Sequence, residues 1–192
     1  MTTGGKVDER RTNTREQIRA VALELFAERG YDKTSLREIA ERLGVTKAAV
    51  YYHYRTKEEI LRSLIDDHLA GMDAIVEWGE AQPPGPERKR GVLERYSALL
   101  SGPNDGASDL VRFLQESQTS IKELATGEQM RQRFERLAAL LVEADEPVAA
   151  HLRARLSLVA MHLGSFADKS IPGSRRERRD AALTLALELS GG

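Results

Sequence analysis

Apolar residues in the first third of the chain recur at the spacing of one helical face. The first group comprises Ile18, Val21, Ala22, Leu25 and Phe26, and the second comprises Leu36, Ile39, Ala40 and Leu43. Gly30 follows the first group and Gly44 the second, where glycine commonly ends a helix or permits a tight turn. The pattern therefore predicts two amphipathic helices, followed after the turn at Gly44 by a third.

Polar residues mark where these helices begin. The candidate N-caps are Asn13 or Thr14 for the first helix, Thr34 or Ser35 for the second, and Thr46 for the third. Glu38 lies three residues after Ser35, which is the spacing of a capping box. We expect the third helix to run to about Tyr54 and a fourth to begin near Lys57 or Glu58.

The remaining two thirds of the chain read as further helices separated by glycine and proline. QPPGP at 82–86 is a clear break, and further helices are predicted at about 86–101, 106–122, 128–144, 147–168 and 175–190. No strand-like alternation flanked by hairpin turns occurs in the sequence. The predicted fold is all-α with about nine helices: a flexible arm at 1–12, a helix-turn-helix head at 13–57 and a larger helical body at 58–192.

The last two predicted helices are apolar on nearly every side. They carry RLSLVAMHLGSFA at 155–167 and AALTLALEL at 181–189, whereas a surface helix shows a single apolar stripe. A second copy of the chain is the simplest partner for the extra apolar side, and two helices from each copy would form a four-helix interface. A deeply buried hairpin in a monomer is the alternative. The predicted dimer-interface residues are Leu156, Val159, Leu163, Leu183 and Leu187.

Composition narrows the classes of function. The chain has 192 residues, of which 41% are apolar, enough for a folded core. It contains no cysteine, which excludes disulfides and thiolate sites and fits a reducing cytosol. Its four histidines lack zinc-site spacing, so neither a metal nor a cofactor is expected. Because the N-terminus is polar and no apolar run is long enough to span a bilayer, we expect a cytoplasmic protein without membrane contact.

Charge is unevenly distributed along the chain, although the net charge is only −1. Residues 1–57 hold 12 Lys and Arg against 8 Asp and Glu, and residues 58–192 hold 17 against 22. The head therefore carries +4 and the body −5. This modest asymmetry indicates that the head, rather than the body, meets a polyanion.

The segment from Thr34 to Lys57 has the residue types of a DNA-binding helix-turn-helix. A recognition helix enters a major groove about 12 Å wide, so its outer face favours small residues and hydrogen-bond donors. Tyrosine hydroxyls, histidine and lysine suit phosphates at the groove edge. The candidate DNA-binding residues are Ser35, Arg37, Thr46, Lys47, Ala48, Tyr51, Tyr52, His53 and Lys57. Taken singly, each is about as well explained by packing or simple surface exposure, and Tyr54 is expected mainly to pack.

The segments Ser35–Arg37 and LGVTKAAVYYHYRTKEEIL, with the amphipathic helix before them, resemble the N-terminal domain of TetR-family transcriptional regulators. The resemblance is close over roughly residues 14–65 and extends beyond them only in length and helix pattern. It implies that the three N-terminal helices bind DNA as a dimer. It also implies that the C-terminal helices hold a small-molecule pocket and that the last two form the dimer interface.

The resemblance also implies roles for individual residues of the head. By position, Lys47, Ala48 and Tyr51 would face the bases of an operator. The phosphate contacts would come from Ser35, Tyr52, His53 and Lys57, and Arg37 could serve either purpose. Ala49 stands where many relatives carry a larger or polar residue, so base specificity cannot be transferred.

Candidate effector contacts come from the predicted helices of the body. They are Trp78, Tyr96, Phe113, Glu116, Phe134, His162 and Phe166. Trp78 and the phenylalanines are more often core than pocket residues, and the alternative for His162 is a core histidine satisfied by a carbonyl. The effector itself is not identified by the sequence.

These observations predict a homodimeric transcriptional regulator that binds a palindromic double-stranded operator. Its favoured form is a repressor released from that operator by a small molecule. The alternative is a DNA-binding regulator that answers to a protein partner or acts constitutively. No phosphate-binding loop, nucleophile elbow or paired-carboxylate motif occurs in the sequence, so an enzyme is not expected.

Overall fold

The computed structural model describes residues 4–101, 110, 113, 126–166 and 171–191. Within these residues all regular structure is helical, which confirms the predicted all-α fold. The helices are α1 (Gly4–Arg29), α2 (Leu36–Leu43), α3 (Lys47–His53), α4 (Lys57–Glu80), α5 (Pro86–Ser101), α6 (Thr126–Ala139), α7 (Val148–Phe166) and α8 (Arg175–Ser190). The helix predicted at 106–122 lies mostly outside the described residues. Leu110 and Phe113, the two that are described, are helical and buried.

The chain divides into two compact units, Met1–Asp66 and Asp67–Gly192. Helix α4 contributes its first residues to the first unit and the remainder to the second. In the described parts of the chain, every helix falls short of the length and apolar character needed to cross a membrane.

Helix α1 begins at Gly4, so it replaces the predicted flexible arm over residues 4–12. The prediction depended on the lack of apolar periodicity in this segment. Periodicity reports which side of a helix is buried, not whether a helix forms. A polar segment containing Glu and Arg has adequate helix propensity to extend a helix that is anchored further along the chain.

Local signals at the ends of α2 and α3 agree with the sequence. Ser35 is the N-cap of α2 and forms the full capping box with Glu38. Gly44 follows α2 with a φ of 69°, a left-handed conformation that glycine adopts without strain. Thr46 caps α3 by accepting a hydrogen bond from the backbone N–H of Ala49. These three signals fix the tight turn between the two helices.

Thr34, the other candidate cap of α2, has a different role. Its side chain is buried, and its hydroxyl oxygen lies 2.9 Å from the carbonyl oxygen of Gly30 and 3.3 Å from that of Leu25. The hydroxyl therefore connects the residue before the N-cap of α2 to the C-terminal end of α1.

The core of the second unit draws on helices α4 to α8. Its buried members include Met72, Val76, Leu93, Tyr96, Leu100, Leu137, Leu141, Leu158, Met161 and Ala186. Helices α7 and α8 approach closely at Gly164, where an added Cβ would lie 2.3 Å from the Cβ of Ala182 and 2.8 Å from the carbonyl oxygen of Arg178. A side chain at position 164 would therefore force these two helices apart.

Helix α6 ends at Ala139, whereas the sequence predicts a helix continuing to 144. The N–H groups of Leu140 and Leu141 donate to the carbonyls three residues earlier, at 3.1 Å in each case. This tighter pattern ends the helix in a turn while keeping both leucines buried. The apolar residues up to Val142 are therefore buried in the turn and do not extend the helix.

Candidate nucleic-acid interface

Helix α3 presents an unusually exposed surface for so short an element. Val50 is its one buried side chain, whereas Lys47, Ala48, Tyr51 and Tyr52 are all exposed. These four residues lie at i, i+1, i+4 and i+5 and so share one side of the helix. Tyr52 is 70% exposed and Tyr51 43% exposed, although tyrosine usually buries its ring. The side of α3 opposite Val50 is therefore available to a partner.

The exposed face combines a positive charge with aromatic rings. The ammonium of Lys47 lies 5.1 Å from the centroid of the Tyr51 ring, within cation–π range. The Tyr52 ring meets the partly exposed His53 ring edge-on, with centroids 5.2 Å apart. Thus the structure brings together the predicted base-contacting residues and two of the predicted phosphate ligands on one short helix.

Tyr54 anchors this helix from behind. Its ring is buried, and its hydroxyl accepts a hydrogen bond from Arg15 Nε on α1 at 3.0 Å. The same hydroxyl lies 3.1 Å from Ser63 Oγ on α4. Tyr54 therefore joins α3 to two other helices of the first unit, in agreement with its predicted packing role. The sequence did not single out Arg15 or Ser63, because neither belongs to an apolar pattern or a short motif.

Ser35 and Arg37 lie at the start of α2, and both already have partners. The Ser35 hydroxyl and backbone N–H lie 2.9 Å and 2.8 Å from Glu38 Oε2, and these bonds hold the pKa of Glu38 below its usual value. The Arg37 guanidinium is largely exposed and lies 2.7 Å from Glu41 Oε1. An exposed ion pair of this kind is weak and readily exchanged for another anion. Their DNA contacts remain predictions.

Lys57 lies at the start of α4 and holds the loop that follows α1. Its ammonium donates to the carbonyl oxygen of Tyr31 at 2.7 Å and lies 3.3 Å from that of Asp32. It also lies 4.3 Å from the centroid of the Tyr31 ring. An ammonium has three N–H donors, so these two carbonyls leave one for a phosphate. Tyr31 was not predicted from the sequence, because its contact is with Lys57, 26 residues further along the chain.

Comparison with known proteins agrees with this geometry. The family model described as "Bacterial regulatory proteins, tetR family" matches residues 18–64, which contain α2, α3 and the start of α4. Residues 18–64 are thus similar to the TetR family of bacterial regulatory proteins. Among the relatives of the chain is TtgR, an HTH-type transcriptional regulator of Pseudomonas putida. It is 37% identical over 101 residues, which cover 50% of this chain and 47% of TtgR.

Two further comparisons differ in the share of the chain that they cover. The probable acrEF/envCD operon repressor of Escherichia coli is 35% identical over 71 residues, covering 31% of this chain and 32% of that protein. The chain thus spans about half the length, or less, of these curated relatives. The crystal structure of PfmR, a TetR-family regulator from Thermus thermophilus, matches over 89% of this chain and 97% of PfmR, with a TM-score of 0.63 and 26% identity.

In the second unit of the chain, three predicted effector contacts meet. The Tyr96 hydroxyl lies 2.6 Å from His162 Nε2, and the Phe134 ring lies 6.0 Å from the His162 ring, centroid to centroid. Tyr96 is fully buried, whereas Phe134 and His162 are partly buried. Burial, together with the charge that His68 carries when it is protonated, lowers the pKa of His162 to about 4. Burial raises the pKa of Tyr96.

Trp78, another predicted effector contact, has different neighbours. Trp78 packs over Gly91, and the Arg95 guanidinium lies 3.6 Å from the centroid of its ring, which favours a structural role. Phe113 is buried. Glu116 and the side chain of Phe166 lie outside the described residues. The sequence did not include His68 among the effector contacts.

Helix α7 has an exposed apolar stripe. Its members are Val148, Leu152, Leu156, Val159 and Leu163, each between 40% and 76% exposed. Leu185 on α8 is also exposed, at 47%. We call these six residues the α7–α8 apolar face. Leu183 and Leu187, which the sequence assigned to the dimer interface, are instead partly buried against the core of their own unit.

In the described part of the chain, no cluster of three or more His, Asp or Glu side chains could hold a metal ion.

Proposed function

We propose that this protein is a dimeric DNA-binding transcriptional regulator, and specifically a repressor that a small molecule releases from its operator. The observation that carries the proposal is the exposed face of α3. A short helix that leaves Lys47, Ala48, Tyr51 and Tyr52 exposed, and is held from behind by Val50 and Tyr54, has the form of a recognition helix.

The chemistry of this face supports contact with a major groove. Lys47 can donate to guanine O6 and N7, and the small Ala48 permits close approach to a thymine methyl. Tyr51 can contact base edges beside Lys47, and the hydroxyl of the exposed Tyr52 can donate to a phosphate at the groove edge. The net charge of +4 on residues 1–57 favours approach to DNA, whereas −5 on the remainder disfavours nonspecific contact by the body.

The α7–α8 apolar face supports a homodimer. Monomers rarely expose contiguous apolar surface on this scale, and twofold symmetry is the commonest solution for covering it. A dimer also serves DNA recognition, because two heads about one helical turn apart can read two half-sites in successive major grooves. The operator would then be a palindrome.

The proposal also includes release of the protein from its operator by a small-molecule effector. The sign of regulation is inferred from a relative named as an operon repressor, the acrEF/envCD protein. The physical link is α4, whose first part belongs to the unit with α3 and whose later part belongs to the unit with Tyr96 and His162. A ligand that binds the second unit and shifts α4 would change operator affinity, typically by about 5- to 150-fold.

Selection of bound sequences from a random double-stranded DNA library, using the full-length protein, tests the DNA-binding part. We expect enrichment of an inverted repeat whose half-sites lie about 34–36 Å apart, bound by two copies of the chain. The double variant Tyr51→Ala/Tyr52→Ala alters exposed side chains only, so it should remain folded and enrich nothing. Selection of no sequence by the unaltered protein would overturn the proposal.

A further inference from the structure

His68 is a buried polar residue without a visible structural purpose. It lies on α4 in the second unit and is only 3% exposed. Neither ring nitrogen has a hydrogen-bond partner in the described structure. A buried donor or acceptor left without a partner destabilises a protein, and native structures keep very few of them. A leucine at this position would avoid that cost, so the histidine requires another explanation.

His68 lies near a second polar group in the same unit. Protonation of His68 would lower the pKa of His162, so the two imidazoles lie within electrostatic range of each other. His162 in turn lies 2.6 Å from the Tyr96 hydroxyl. Helices α4, α5 and α7 thus each contribute one of these hydrogen-bonding side chains to the second unit, whose core is mainly apolar.

We propose that His68, Tyr96 and His162 bind the single polar group of an uncharged, mainly aliphatic effector, through a hydroxyl or a carbonyl. This inference names the class of ligand for the effector part of the proposed function and rests on that function. We call these three residues the polar cluster.

The surroundings of His68 and His162 disfavour an ionic ligand. Burial is the cause of the low pKa of His68, and burial and His68 are the causes for His162. Among the described residues, the causes of both shifts include no carboxylate, ammonium or guanidinium group. A neutral imidazole offers one donor and one acceptor, which match a hydroxyl or carbonyl. An unpaired ion in such surroundings would be strongly disfavoured.

The side chains around the polar cluster indicate that the remainder of the ligand is apolar. Tyr96 belongs to the same core as the aliphatic residues Met72, Leu100 and Leu137. Phe134 packs against that core and lies beside His162. An aliphatic chain attached to the hydroxyl or carbonyl would therefore contact apolar side chains, and its transfer from water would favour binding.

The test uses the full-length protein with ¹⁵N-labelled histidine. 1-Alkanols and 2-alkanones of four to ten carbons are titrated in turn, while NMR follows the ring nitrogens of His68 and His162. We expect saturable shifts of both residues for at least one chain length. Alkanoates and alkylammonium ions of that length should bind at least tenfold more weakly. Absence of shifts across the whole series, or equal binding of the alkanoate, would overturn the proposal.

Substitution separates a binding role from a structural one. His68→Leu should weaken alkanol or alkanone binding at least tenfold while raising the Tm of the free protein, because it removes the orphaned polar atoms. His151→Leu, on the partly exposed histidine at the start of α7, is the matched control and should leave binding unchanged. A lowered Tm with unaltered affinity in His68→Leu would assign His68 to structure and contradict the inference.

Operator binding is measured separately by fluorescence anisotropy in the presence of the bound alkanol or alkanone. Release of the operator supports both the site and its effector role. If the probe binds at His68 but operator affinity is unchanged, the polar cluster stands as a site and the proposed induction mechanism fails. If the probe does not bind while the operator does, the polar cluster fails and the DNA-binding function stands.

Discussion

The ammonium of Lys57 lies 2.7 Å from the carbonyl oxygen of Tyr31 and 4.3 Å from the centroid of that residue's ring. This contact closes the loop after α1 against the start of α4, on the unit that carries α3. A residue predicted to hold DNA phosphate therefore also stabilises the fold of the head. The two roles are separable by experiment.

Lys57→Met keeps the aliphatic stem and removes all three donors. We expect the free energy of unfolding to fall by about 1–2 kcal/mol, because the Tyr31 carbonyl loses a charged donor. We also expect weaker DNA binding on every sequence, with the salt slope reduced by about 0.9 for one lost phosphate contact. Chemical denaturation and anisotropy at several salt concentrations measure these effects. Lys33→Met removes the same charge from an exposed side chain of the same loop, so identical behaviour of the two variants would refute both roles.

Tyr52, on α3, and Tyr54, at the C-terminal end of that helix, offer a matched comparison. Tyr52→Phe removes an exposed hydroxyl, so it should leave stability unchanged and weaken operator binding across sequences. Tyr54→Phe removes the hydroxyl that lies 3.0 Å from Arg15 Nε and 3.1 Å from Ser63 Oγ, so it should lower the free energy of unfolding by about 1–2 kcal/mol. Denaturation and anisotropy on both variants check this. The assignment fails if Tyr52→Phe destabilises the protein or leaves operator affinity intact.

Lys47→Ala should change which sequences are preferred, and not merely how tightly all are bound. Its ammonium is on the first turn of α3, where such helices contact base edges, and a lost bidentate contact to guanine reduces discrimination by about 1–3 kcal/mol. Repeating the library selection with the variant measures the preference position by position. A uniform loss of affinity, with the same sequence logo, would instead assign Lys47 to a phosphate.

The parts of the structure that the sequence predicted are those governed by neighbours along the chain. Ser35 with Glu38, Gly44 and Thr46 act within four residues, so their roles in capping and turning could be inferred directly. The apolar periodicity of α1 and α2 likewise determined which side of each helix is buried.

The parts that the sequence did not predict depend on distant contacts. Nothing local indicates that the Lys57 ammonium reaches Tyr31 or that the Tyr54 hydroxyl reaches Arg15. The run AALTLALEL is apolar on all sides, so its pattern could not distinguish Leu185, which is exposed, from Leu187, which packs inward. The orphaned nitrogens of His68 become visible only when the packing around them is known.

The dimer proposal predicts that Leu156→Glu and Leu185→Glu each yield a folded monomer. Both side chains are about half exposed, so a carboxylate there costs the isolated chain little but would be desolvated in a dimer. Sedimentation velocity measures the association, and circular dichroism checks the fold. Ala74→Glu, an exposed change on α4, is the control and should remain dimeric. Unchanged dimers of both leucine variants would refute the α7–α8 apolar face as the interface.

The buried histidines predict a loss of stability in mild acid. Burial lowers the pKa of His68 from its ordinary value of 6.5 to about 4 in the folded protein. Between these two values the unfolded chain binds a proton that the folded chain does not. Stability is therefore fully present above pH 6.5 and is lost as the pH falls toward 4, by up to about 1.4 kcal/mol per pH unit for each such histidine.

His68→Leu removes one of these two proton-linked groups, while His162 remains with its pKa also lowered to about 4. Urea denaturation at intervals from pH 7.5 to 5 should therefore show a shallower loss of stability for the variant than for the unaltered protein. The range stays above the ordinary pKa values of carboxyl groups, so their titration contributes little to the difference. Parallel curves for the two proteins would mean that His68 takes up a proton as readily in the folded chain as in the unfolded one. It would then not be the dry, neutral imidazole that the polar cluster requires.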